Sequence, residues 1–96
     1  MTKYEIMFIV KATLEESALN DITKEVQNLI TDNKSKVIEF KDMGRKKLAY
    51  PINKEISGFY YLMNVEANKE TIEEFDRKLR INENILRHLI LKKESE

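Results

Sequence analysis

The chain has no cysteine and no tryptophan, one histidine, one proline and two glycines among its 96 residues, and its formal net charge is zero. Without cysteine there is no disulfide and no thiolate metal site, which suits a reducing compartment, so the cytoplasm or an organelle interior is the expected home. A single histidine leaves only carboxylates to hold a metal, and no acidic loop has calcium-binding spacing. Gly44 and Gly58 stand apart from one another, so no glycine-rich loop cradles a phosphate. The N-terminal apolar run is broken by Lys3 and Glu5, and nothing approaches the roughly 18 uninterrupted apolar residues of a membrane span. Neither export nor insertion is expected. Catalysis would need a nucleophile beside a base, a metal cluster or a phosphate loop. His88, on the inward parity of its strand, reads as a packed core residue rather than a base. The acid pairs Glu15–Glu16 and Glu73–Glu74 fall at helix starts, where the macrodipole accounts for them. The residue types present point away from an enzyme, a cofactor and a small-molecule substrate.

What is present is an apolar and heavily charged chain, 42% hydrophobic and 35% charged. A chain of this length buries roughly 60 to 70% of its extended surface, enough for one core, so a single domain over residues 1–92 with a short charged tail at 93–96 is expected. The 17 basic and 17 acidic residues are not evenly spread. Residues 14–33 carry Glu15, Glu16, Asp21, Glu25 and Asp32 against Lys24 alone, whereas residues 41–54 carry Lys41, Arg45, Lys46, Lys47 and Lys54 against Asp42 alone. Such a dipolar surface can orient a protein on a polyanion, and it equally suits the solvated faces of ordinary elements.

Periodicity places six elements. Tyr4, Ile6, Phe8 and Val10 alternate with polar positions in a first strand over residues 3–10. Thr13 and Glu16 have capping-box spacing, which predicts a helix beginning at Thr13, with Leu14, Ala18, Ile22, Val26, Leu29 and Ile30 as its apolar stripe, and ending near Asp32–Asn33. Residues 36–52 form one long strand bent at Gly44, and Pro51, which cannot donate to a ladder, puts that strand at a sheet edge. After a turn over residues 53–58, residues 59–66 make a third strand with Phe59, Tyr61, Met63 and Val65 inward. Asn68 or Thr71 caps a second helix carrying Ile72, Phe75 and Leu79, and residues 85–92 form the last strand with Leu86, His88 and Ile90 inward. The order β-α-β-β-α-β is that of the ferredoxin-like sandwich, an α+β fold in which two helices cover one face of a four-stranded antiparallel sheet.

This order invites comparison with the RNA recognition motif, which stacks bases on aromatic side chains of its third strand. Ser57, Tyr60 and Asn64 depart from that pattern, and the polar parity of Asn64 and Glu66 turns Phe59 and Tyr61 toward the helices. The basic run Arg45-Lys46-Lys47 on an edge strand is left. It suits contacts with a folded RNA backbone, and it equally suits an edge charged against strand-to-strand aggregation.

Four blocks, Tyr4–Val10, Gly44–Ile52, Gly58–Val65 and Leu79–His88, resemble in order and spacing those of the bacterial small-subunit ribosomal protein six family, and Gly44-Arg-Lys-Lys-Leu-Ala-Tyr-Pro-Ile52 is the most specific of them. The resemblance implies a structural, non-enzymatic protein of the 30S platform that binds the central domain of 16S ribosomal RNA together with ribosomal protein eighteen. In that setting the expected RNA-binding residues are Arg45, Lys46, Lys47, Lys54, Arg87 and Lys92. The expected partner surface is one sheet edge or the open sheet face, exposing Met7, Ile9, Leu62 and Leu89 beside Arg87, because exposed apolar patches commonly mark interfaces. A dimeric module of the same fold that never touches RNA is the rival reading of the same residues.

Overall fold

The computed structural model describes residues 2–32, 34–52 and 54–93. Strand β1 (Thr2–Lys11) is followed by helix α1 (Glu16–Thr31), strands β2 (Lys36–Ile52) and β3 (Glu55–Ala67), helix α2 (Lys69–Ile81) and strand β4 (Ile85–Lys93). The strands form one antiparallel sheet in the order β2-β3-β1-β4, which is the ferredoxin-like arrangement, with the two most apolar strands in the middle and Pro51 on an edge. Of the tail expected at 93–96, Lys93 is instead part of β4 and pairs with Lys3; residues 94–96 lie outside the described residues.

The two-residue period of β1 divides the structure. Tyr4, Ile6, Phe8 and Val10 face the helices and meet Val65, Met63, Tyr61 and Phe59 of β3 across the ladder. Phe8, Phe75, Ile6, Ile30 and Met63 are among the side chains fully buried in this layer. Phe8 stacks on Tyr61 with ring centroids 5.2 Å apart, and Phe40 lies 5.5 Å from the same ring. The phenol of Tyr61 titrates above its ordinary range because burial disfavours the phenolate, and Asp42, its partner across the strands, adds to the effect.

Three local expectations are corrected. The capping box at Thr13 does not form: α1 starts at Glu16 with Glu15 in the cap position and no side-chain cap bond. Leu14, ahead of the helix, still packs on the core, so the apolar stripe extends back over a non-helical turn. At α2 the cap position belongs to Asn68, but its Oδ1 accepts from the Thr71 hydroxyl at 2.7 Å rather than from the backbone. On β4 the register shifts between Arg87, opposite Ile9, and Ile85, opposite Val10. That bulge makes Ile85 the core residue and leaves Leu86 half-buried, with its Cδ1 near Gly58 on the other face.

The third strand starts at Glu55, not at residue 59, because β2 and β3 continue past the rest of the sheet as a two-stranded arm that reaches Ile52 on one strand and Glu55 on the other. The arm is uneven. Lys47 pairs with Ser57 and Ile52 with Glu55, so Leu48, Ala49, Tyr50 and Pro51 face Ile56 alone. Pro51, lacking an N–H, costs nothing where the ladder is already interrupted.

Gly58 sits where this arm joins the sheet. A Cβ there would stand 2.4 Å from Cγ2 of Ile9 and 3.1 Å from the carbonyl oxygen of Val10. Gly44 is needed for another reason: its φ is +83° and nothing lies within 4 Å of a Cβ built there, while its N–H donates to Asp42 Oδ1 at 2.8 Å. Gly58→Ala should therefore lower stability by about 2 kcal/mol through overpacking, and Gly44→Ala by about 1 kcal/mol through backbone strain. In urea unfolding, Asn should recover part of the loss at residue 44, because Asn tolerates positive φ, and should worsen it at residue 58.

His88 fills the position expected of it, with a side chain 14% exposed. Its Nε2 lies 2.6 Å from Asp76 Oδ1, and since a carboxylate only accepts, Nε2 carries the proton and ties β4 to α2. The His88 bond holds the Asp76 carboxyl below its ordinary range, with Arg80 at 3.1 Å contributing. A carboxylate with a depressed folded pKa stabilises the fold above its unfolded value, about 3.9, and loses that contribution as pH falls through and below it. Asp76→Asn should accordingly shrink the drop in urea midpoint between pH 6 and pH 3 while changing little of its shape above pH 6.

Candidate functional site

The odd-numbered side chains of β1 point away from the helices and, with their neighbours, form rows across the second sheet face. One row runs Leu62, Met7, Leu89; the next runs Tyr60, Ile9, Arg87. On one side these two rows are bounded by a polar network. Asn64 donates to Glu39 at 3.1 Å and accepts from Lys93 at 2.9 Å, and Lys93 also lies 3.4 Å from Glu5. The apolar rows are thus confined between this network and the arm.

The four residues expected to form an exposed patch do share this face, but not equally. Met7 is 37% exposed and Leu89 48%, Leu62 is half-buried, and Ile9 is only 6% exposed. The expectation of an exposed Ile9 is corrected by the arm, whose uneven stretch curls over the sheet and buries Leu48. Leu48, Tyr50, Ile52, Tyr60 and Arg87 line a hollow of about 250 Å³ with Met7 and Ile9. A neighbouring hollow of about 390 Å³ opens over Met7, Ile9 and Leu89 toward the β4 edge.

The basic residues expected to meet RNA divide into three groups. Arg45, Lys46 and Lys47 are all exposed on the arm and Lys54 stands at its turn, in the left-handed region with φ 68°. Opposite Gly58 on the open face, the Lys46 ammonium lies 5.7 Å from the Tyr60 ring, while Arg45 and Lys47 take the other parity and Arg45 donates to the Ser57 hydroxyl at 3.5 Å. Arg87 is joined to the arm through Tyr50, its Nη1 donating to the phenol oxygen at 2.6 Å. Lys92 is not brought to this group. It opposes Tyr4 on the helix-side parity, roughly 16 Å along β4 from Arg87 at the strand rise of about 3.3 Å per residue.

Sequence reasoning missed Tyr60 and Leu91 as members of the open face, although their parity with Leu62 and Leu89 signals it. It also missed the folding-over of Leu48 and Tyr50, since their alternation with Ile52 reads as a regular strand while the ladder to β3 is interrupted between Lys47 and Ile52. Among the described residues no helix is long and apolar enough to cross a membrane, and no three His, Asp or Glu side chains group to hold a metal. What the arrangement offers is a binding surface, an apolar floor beside a basic arm.

Comparison with known proteins bears on what binds there. Residues 3–92 match the family model for ribosomal protein S6. The small ribosomal subunit protein bS6 of Shouchella clausii is 45% identical over 94 residues, covering 98% of this chain and 99% of that one. The crystal structure of 30S ribosomal protein S6 from Thermotoga maritima superposes with a TM-score of 0.90 at 25% identity, over 96% of this chain and 87% of the other. With residues 3–92 matched by the family model and nearly its whole length by a relative 45% identical, the chain belongs to the ribosomal protein S6 family and is a structural protein of the small ribosomal subunit.

Proposed function

We propose that the chain is a non-enzymatic assembly protein of the cytoplasmic ribosome that binds the central domain of 16S ribosomal RNA, on the subunit platform, jointly with ribosomal protein eighteen. The observation that carries this reading is the adjacency of two unlike surfaces: the apolar rows around Met7 and Leu89 adjoin an arm on which Arg45, Lys46, Lys47 and Lys54 are exposed. The apolar rows serve the protein partner and the arm serves the RNA, so each ligand completes the surface that the other begins.

The electrostatics favour joint binding. Phosphate contacts supply affinity by releasing counterions, and a chain of net charge zero with about four exposed arm cations has few to offer. The acidic residues of α1 lie on the helix layer, away from the open face. Alone the protein should hold RNA weakly and with a salt slope set by the arm; with its partner in place the two surfaces add.

Binding to a central-domain RNA fragment, measured with and without the partner at several salt concentrations, tests this. At least tenfold tighter binding with the partner is expected, and tight, salt-insensitive binding by the isolated chain would sink the proposal. Replacing Arg45, Lys46 and Lys47 by Glu should remove the protein from 30S particles on a sucrose gradient. Met7→Glu with Leu89→Glu should abolish the partner's contribution while moving the urea midpoint little, since both side chains are exposed. Self-association through the open face, with the triple Glu change having no effect on particle incorporation, would instead support a dimeric module.

A further inference from the structure

Tyr50 and Arg87 belong to opposite edges of the sheet. Tyr50 lies on β2 and Arg87 on β4, with β3 and β1 between them, yet the Arg87 guanidinium bonds the Tyr50 phenol at 2.6 Å. Strands spaced about 4.8 Å apart put these edges roughly 14 Å from one another, so the contact exists only because the arm curls back across the open face. Burial does not account for it. Leu48 is 7% exposed and pins the root of the arm, but Tyr50 is 54% exposed, and beyond it Ile56 is 64% exposed. The guanidinium carbon stands 5.7 Å from the ring centroid while Nη1 reaches the hydroxyl, so the cation lies toward the ring edge and the hydrogen bond carries the attraction.

Arg87 also differs from the arginines of α2. Arg77 and Arg80 are paired with the carboxylates of Glu74 and Asp76, whereas among the described residues Arg87 has no carboxylate within 4 Å. Its donor is committed to a neutral phenol. The link therefore fixes geometry without neutralising the charge.

We infer that Tyr50 and Arg87 form a clasp that sets the position of the basic arm over the open face, which makes Arg87 a positioning residue for the arm cations rather than a phosphate contact. The RNA part of this inference rests on the proposed function; the clasp does not. A guanidinium that meets phosphate uses its own donors on the RNA, while one that holds the phenol acts through Lys46, Lys47 and Lys54. The two roles leave different traces in salt dependence, since each phosphate contact contributes about one to the slope of log K against log salt.

The test is a cycle of Tyr50→Phe, Arg87→Gln and both together, read first by amide hydrogen exchange of the free protein. Each single change should raise exchange over residues 48–57 by roughly three- to tenfold, the scale of one exposed charge-assisted contact, and the double change should add nothing. Amides of residues 4–8 should be unmoved, which separates loss of the clasp from loss of the fold. Arg87→Lys, which keeps a donor, should restore part of the protection. With the partner and the central-domain RNA fragment, all three variants should lose a similar three- to tenfold in affinity with an unchanged salt slope. Unaltered exchange in Tyr50→Phe overturns the clasp, and a salt slope lowered by about one in Arg87→Gln alone overturns the positioning role. If the unmodified protein fails to bind RNA with its partner, the proposed function falls while the exchange measurement still decides the clasp.

Discussion

Strand β1 is packed from both sides, and the rest of the molecule is arranged around that constraint. Its even residues lie under the helices, and its odd residue Ile9, on the opposite face, is also buried, at 6% exposure. A strand covered along one face by two helices and, at Ile9, on the other face by an arm of the same sheet has its register set at both faces. A one-residue slip would carry Tyr4, Ile6, Phe8 and Val10 out of the core and drive Glu5 and Lys3 into it. At Gly58, beside Ile9 and the Val10 carbonyl, a Cβ has no room and only a residue without a side chain fits.

The second consequence of β1 is that the sheet cannot be symmetric across its faces. The helix side is closed by aromatic stacking and aliphatic packing around Phe8 and Tyr61. The other side is closed at one end by the Glu39–Asn64–Lys93 network and at the other by the arm, and between them Met7 and Leu89 stay exposed. Apart from His88 with Asp76, the ion pairs among the described residues are surface contacts, such as Lys41 with Glu39 at 3.7 Å, and contribute little to stability. The core determines whether the chain folds; under the proposed function the open face meets the partner.

The irregularity of β2 links the two. Extra residues at Ile38 and Met43, and the stretch Leu48–Pro51 facing Ile56 alone, keep this edge from presenting a regular ladder to other strands. The same irregularity frees Leu48 and Tyr50 to fold over the sheet and carries the basic run with them. The distortion that blunts this edge against aggregation is also the one that, under the proposed function, presents the basic run to RNA.

The element order, the central place of β1 and β3, the edge position of the strand holding Pro51 and the inward faces of Phe59, Tyr61, Met63 and Val65 were legible in the sequence, because each follows from two-residue or 3.6-residue periodicity and from the chemistry of single residues. The exposure of Arg45, Lys46 and Lys47 was legible for the same reason. What periodicity could not convey lies where it is broken. The bulge that substitutes Ile85 for Leu86, the start of α1 at Glu16, the burial of Ile9, the separation of Lys92 from the other bases and the meeting of Tyr50 with Arg87 depend on distances between residues far apart in the chain. Local pattern determined which way each side chain points from its own strand. Only the tertiary structure decided how far the strands bend, and so which of those side chains share a surface.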